Sequence, residues 1–225
     1  MMPHTVLSGT FPLPEPCRRE ILRYAGARTP APELTALLEE ALAEAAPVLS
    51  GKVCWQEFPI VRRPDHLDLG FAQVQSASLE KNLAGCDRII LFAATVGLPL
   101  DRLIARYGIL SPAKGLMLQA IGAERIEALC DVFCDHIRQE ALCAGLRTAP
   151  RFSPGYGDLP LELQRDIFQS LDCARRIGLT LNDSLLMSPS KSVTAIVGLG
   201  PEATGHPTTG CPSCPKTDCI HRRIP

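Results

Sequence analysis

From Pro112 to about Gly145 runs the pattern that most restricts how this chain can fold: Leu118, Gly122, Ile126, Leu129, Phe133, Ile137 and Ala141 recur in steps of three or four. That spacing sets them on one side of a single helix of about 30 residues, roughly 50 Å long at 1.5 Å per residue. An apolar stripe of such length has to be buried against other elements, so the helix is expected at the centre of the fold. Gly122 within the stripe predicts close approach by another backbone. Glu124, Glu127, Asp131, Asp135 and Arg138 recur on the opposite side, as a solvated face would.

The surface under that helix is readable in shorter pieces. Arg88 to Ala94 reads as a buried strand that ends at Thr95, Val96 and Gly97. Val53, Cys54 and Trp55 with Phe58 and Ile60, and then Leu67 to Leu69, read as two short strands bounded by prolines and Gly70, with a hairpin between them. Val193 to Val197 reads as a further strand. Helical spacing predicts helices over Arg19 to Ala25, Leu34 to Ala45, Leu79 to Leu83 and Leu100 to Tyr107, and an amphipathic one over Leu161 to Arg176 that starts at Pro160 and stops at Gly178. Residues 10–17 hold three prolines, which cannot donate backbone hydrogen bonds, so an extended arm is expected there. Strands and helices alternate without a strict βαβ repeat. The expected fold class is therefore α+β (mixed α/β), with the long helix packed on an antiparallel or mixed sheet. One domain over residues 1–205, with an N-terminal arm at 1–17, and a Cys-rich tail over 206–225 is the expected organisation.

Charge bounds the partners. With 23 Lys+Arg against 24 Asp+Glu and a pI near 6.5, the chain lacks the basic excess that nucleic acid or an anionic membrane requires, so neither is an expected partner. The longest apolar run, Ile89 to Leu100, is broken by Gly97 and Pro99 and falls short of the roughly 20 residues that span a bilayer. Met1-Met2-Pro3-His4 has no basic stretch leading into an apolar one, so a cytoplasmic location is expected. The ten cysteines are then core thiols or metal ligands rather than disulfides. No Ser-His-Asp pattern, HExxH motif or phosphate-binding glycine loop supports hydrolysis or nucleoside triphosphate chemistry.

Two blocks in the last third point to a small molecule. Arg151-Phe152-Ser153-Pro154-Gly155-Tyr156-Gly157-Asp158-Leu159-Pro160 combines a guanidinium, an aromatic ring and glycines that allow close backbone approach. Ile177-Gly178-Leu179-Thr180-Leu181-Asn182-Asp183-Ser184 then runs into Met187-Ser188-Pro189-Ser190-Lys191-Ser192-Val193. An isolated RxxxGY is a Pro/Gly turn with a solvated arginine; both blocks, in this order and spacing, favour a binding loop. Together they resemble the activation domain of vitamin B12-dependent methionine synthase, in its free-standing form. The resemblance is dense over about residues 151–198 and weaker over about 15–145.

The resemblance implies that S-adenosylmethionine binds at the loop through Arg151, Ser153, Gly155 and Tyr156. Arg151 would hold the carboxylate in a two-pronged pair. Backbone groups of Ser153 and Gly155 would read adenine or ribose. Tyr156 would lie against the sulfonium or adenine, or act in catalysis by orienting the approach of the cobalamin. The family also picks out Asp131 on the long helix, as a carboxylate that offsets the sulfonium charge or accepts from the ammonium. Lys191 and Ser192 match the family's Pro-x-x-Ser-Val stretch and read as a structural turn. Fused members place a ligand aspartate near their start, for which no motif here marks a counterpart. The implied function is a subunit that supports reductive methylation of cobalamin held by a separate methionine synthase catalytic chain, with flavodoxin or ferredoxin as the electron donor.

Cys211, Cys214, Cys219 and His221 bring three thiols and an imidazole together in a Pro/Gly/Thr-rich segment. They are able to close a tetrahedral zinc site or, with a remote ligand, to hold an iron–sulfur cluster; with a single CxxC, idle thiols are the other reading. This keeps open a different function, a metal-binding redox or assembly partner of a corrinoid protein with no methyl-transfer role of its own. Cys130 and Cys134, four apart on the long helix, read as buried small residues.

Overall fold

The structure is a computed structural model and describes residues 5–27 and 31–203. Strand β1 (Leu7–Thr10) leads through an extended arm to α1 (Arg18–Tyr24), α2 (Pro32–Ala45) and β2 (Lys52–Pro59). A small antiparallel sheet follows, of β3 (Val61–Arg62), β4 (Leu67–Asp68) and β5 (Gln73–Val74). Next come α3 (Ala77–Asn82), β6 (Arg88–Thr95), α4 (Leu98–Leu110) and α5 (Pro112–Cys143). The chain closes with β7 (Arg147–Thr148), α6 (Gln164–Leu171), α7 (Cys173–Ile177), the paired β8 (Thr180–Leu181) and β9 (Met187–Ser188), and β10 (Ser192–Gly200).

The main sheet is antiparallel and five-stranded, in the order β1-β2-β6-β10-β7. At its centre β6 pairs with β2 from Lys52↔Thr95 to Pro59↔Arg88, and with β10 from Ser192↔Thr95 to Leu199↔Arg88. Ile89 to Thr95 are all buried, which is why the strand reads as a continuous apolar run rather than an alternation. Its alternate residues serve two cores. Ile90, Phe92 and Ala94 pack with Leu118, Ile121, Leu129 and Phe133 of α5, while Ile89, Leu91 and Ala93 pack with Leu79, Leu163, Ile167 and Ile177. The sheet therefore lies between a layer of α5 with α1, α2 and α4, and a layer of α3, α6 and α7.

The stripe of α5 is buried along its length, and Phe133 has ring centroids 4.9 Å from Phe92, 5.2 Å from Trp55 and 5.4 Å from Phe11. At Gly122 a Cβ would lie 2.8 Å from both Leu100 Cδ2 and Lys191 Cγ, so side chains, not the expected backbone, make the close approach. The opposite side of α5 is not uniformly solvated. Glu124 is buried and accepts from Arg125 Nε and Nη2, both at 2.5 Å, and from the Cys17 N–H at 3.1 Å. Arg125 also donates to the carbonyls of Pro14 and Glu15, so a buried ion pair fastens the proline-rich arm to the long helix.

Three other expectations change. The strand at Lys52–Pro59 forms no hairpin with Leu67–Asp68, because its two edges are taken by β1 and β6 while β4 pairs with β3 and β5. The stretch from Leu161 to Arg176 is a short 3-10 turn and two helices, broken where Asp172 adopts φ 48°. The start of the arm contains the edge strand β1. No helix among the described residues is long and apolar enough to cross a membrane.

Candidate functional site

The loop after β7 runs along the outer edge of β10 and then leaves it. Ala149 N donates to Gly198 O at 2.8 Å, and Phe152 exchanges both backbone hydrogen bonds with Ile196 at 2.8 and 2.9 Å. Continued in register, Pro154 would face Thr194. Proline has no N–H to give, and the ladder stops there. The chain turns instead: Tyr156 N donates to Ser153 O at 3.1 Å, Leu159 N to Tyr156 O at 3.0 Å, and Gly155 N to Leu159 O at 2.9 Å. Gly155 at φ 88° and Gly157 at φ 56° occupy backbone conformations that other residues rarely adopt.

Arg151, one residue before the Phe152 bridge, reaches across to α5. Its Nη1 donates to Asp131 Oδ1 at 2.6 Å and its Nη2 to Glu127 Oε2 at 2.5 Å. The two carboxylates stand one helical turn apart on the same face, which matches the fork of a guanidinium. Cys130 and Cys134 lie beside this triad on α5. Burial pushes both thiols up, Cys134 to about 11 against the opposing pull of Arg151, so they are neutral packing groups at neutral pH. Tyr156 is 60% exposed, and its ring meets Phe152 edge-on at 6.2 Å, which leaves a face open to solvent.

Asp158 closes the loop against α3. Its carboxylate accepts from Ser76 Oγ at 2.5 Å, Ala77 N at 2.8 Å and Ser78 N at 3.1 Å. The Ser76 hydroxyl and these backbone donors hold the carboxyl at about 2, well below the usual carboxylate range. Lys191 and Ser192 stand at the start of β10: Ser192 Oγ donates to Pro189 O at 2.8 Å, and Lys191 O accepts from Val96 N at 3.1 Å.

Arg151, Ser153, Gly155 and Tyr156 thus share one loop, and the structure joins Asp131 to it. Glu127 belongs with them although the sequence did not single it out. Its only signal was its place one turn before Asp131. Cavities of about 400 Å³ beside Asp158 and Ser76 and about 530 Å³ between the arm and α2 do not include Arg151; with side-chain exposures of 21% at Arg151, 32% at Glu127 and 50% at Asp131, the triad is part-buried and still reachable from solvent. Cys211, Cys214, Cys219 and His221 lie outside the described residues. Among the described residues no group of three or more His, Cys, Asp or Glu is placed to hold a metal ion.

A sequence profile of the family described as "Vitamin B12 dependent methionine synthase, activation domain" matches residues 78–209, more than half of the chain. The chain belongs to this family. The matched span begins within α3 and takes in β6, α4, α5, the Arg151 loop and β10 of the activation domain. Among solved structures, the crystal structure of the MetH reactivation domain bound to AdoHcy is similar over 93% of this chain and 81% of that chain, with a TM-score of 0.62 and 18% identity. At that identity the likeness is one of fold, and it agrees with the expected α+β class. No curated protein sequence matches this chain.

Proposed function

We propose that this activation domain binds S-adenosylmethionine at the Arg151 loop and, as a separate subunit, supports reductive methylation of cobalamin held by a methionine synthase catalytic chain. The observation that carries the proposal is the triad of Arg151, Glu127 and Asp131. A guanidinium between two carboxylates suits the amino-acid end of the ligand by exchange. The ligand carboxylate takes one prong of Arg151, and the ligand ammonium goes to the carboxylate that Arg151 releases, so no charge is left without a partner. The MetH reactivation domain of the same fold is bound to AdoHcy, which carries the same amino-acid and adenosyl groups.

Within the turn the Gly155 N–H and the Ser153 C=O are already engaged. Of the backbone groups of Ser153 and Gly155, the Ser153 N–H and the Gly155 C=O are the ones proposed to meet adenine or ribose. Tyr156 offers a ring face to the sulfonium, an arrangement worth about 0.5–2 kcal/mol. S-adenosylmethionine would supply the methyl group by breaking its S–CH3 bond and leave as S-adenosylhomocysteine, while the partner's oxidised cobalamin would take that methyl together with one electron from flavodoxin or ferredoxin, the proposed donor. The role of Arg151 and Tyr156 is to fix the direction of that methyl. The alternative of a metal-binding redox or assembly partner rests on Cys211, Cys214, Cys219 and His221, and no observation in the described residues favours it.

Calorimetry with S-adenosylmethionine tests the site. Arg151→Ala is expected to weaken binding by about tenfold or more, which corresponds to roughly 1.4 kcal/mol; unchanged affinity would remove the loop from the ligand site.

A further inference from the structure

The ends of the Arg151 loop are anchored, by Arg151 to α5, by Phe152 to β10 and by the buried Leu159, but the side chains at its tip do little to hold it. Gly155 and Gly157 have none, and Tyr156 is 60% exposed. Ordering such a segment costs roughly 1–2 kcal/mol per residue in backbone freedom, so its conformation has to be fixed from outside. The further fixing points are the two ends of α3. At the C-terminal end Asn82 Nδ2 donates to Pro150 O at 3.2 Å, immediately before Arg151. At the N-terminal end Asp158 takes the hydrogen bonds of Ser76, Ala77 and Ser78, and the Ser76 hydroxyl in turn accepts from Leu79 N at 3.0 Å.

The loop is therefore laid antiparallel along a helix of six residues, about 9 Å long. Between the two fixing points Gly157 presses on α3: a Cβ there would lie 2.6 Å from Ser78 Oγ and 2.8 Å from Ser78 Cβ. The exchange is reciprocal. Asp158 satisfies backbone N–H groups that the first turn of a helix leaves without partners, and α3 holds the loop in return.

We infer that Asp158, with Ser76 and Asn82, is a positioning residue that clamps the ligand loop to α3 and so sets Arg151 and Tyr156 for the ligand in advance. A loop already ordered does not charge its ordering cost against binding, which raises affinity without any added contact. This inference rests on the ligand site proposed above.

The test compares the full chain with its Asp158→Ala and Asp158→Asn variants, using calorimetry with S-adenosylhomocysteine and hydrogen exchange across the loop and the sheet. Asp158→Ala is expected to weaken binding about tenfold. Asp158→Asn, which keeps an acceptor oxygen and is the milder change, is expected to fall between it and the unaltered chain. Exchange should quicken at residues 153–159 and stay unchanged in β6 and β10. Equal affinity in all three proteins overturns the inference. So does exchange that rises in β6 and β10 together with the loop, because Asp158 would then support the whole fold rather than place the loop. Failure of the unaltered chain to bind S-adenosylhomocysteine would remove the proposed ligand site instead, and the exchange comparison would still decide whether Asp158 clamps the loop.

Discussion

At Asp158 three donors converge on one carboxylate and hold its pKa at about 2. An unfolded aspartate titrates near 3.9, so the folded value is depressed; the resulting stability is fully present above that pH and is lost as pH falls through about 2. Acid unfolding followed by circular dichroism should show the unaltered chain more stable than Asp158→Asn above about pH 4, with the two curves converging toward pH 2; a constant gap would contradict this reading. The residues of the site were unequally legible. Arg151, Gly155 and Tyr156 stand in a contiguous RxxxGY motif, and Asp131 came from the family's long helix. Glu127 shares the face of Asp131, but helical spacing does not say which carboxylate a cation from a distant loop will reach. Asp158 was in plain view within the same block, yet its partners Ser76, Ala77 and Ser78 lie about 80 residues earlier, beyond the reach of any local pattern.

Among the elements, α5 and β6 were the most readable because each carries a long, unbroken signal, a stripe in one and a buried run in the other. Elements whose partners are remote were not. The strand at Lys52–Pro59 is apolar at the right places, but only the sheet shows that it pairs with β6 and β1. Periodicity also places Glu124 on the polar side of α5, and it cannot anticipate that the arm folds over that side and buries the carboxylate against Arg125. Removing one member of a buried pair leaves the other charge unmatched, so Glu124→Ala is expected to cost about 3–5 kcal/mol in urea unfolding. A loss within the range of surface substitutions would show that the arm is not held by this pair. Filling the narrow space at Gly122 with valine is expected to cost about 1–3 kcal/mol by the same measurement, because Leu100 and Lys191 must both move.

For the whole molecule, the three layers set the Arg151 loop at an open edge of the sheet. There the outer edge of β10 is taken up only as far as Phe152, and α5 supplies the facing carboxylates. A ligand bound at this part-exposed triad stays accessible from outside, which suits a subunit whose methyl acceptor is held by another protein. The most direct measurement takes a methionine synthase catalytic chain that lacks its own activation domain and carries inactive, oxidised cobalamin. This protein, S-adenosylmethionine and a reduced flavodoxin are added, and the visible spectrum is followed. Methylated cobalamin is expected to return only when both this protein and S-adenosylmethionine are present, and about tenfold or more slowly with Arg151→Ala. Recovery at the same rate without this protein, or with the Arg151→Ala variant in its place, would contradict it.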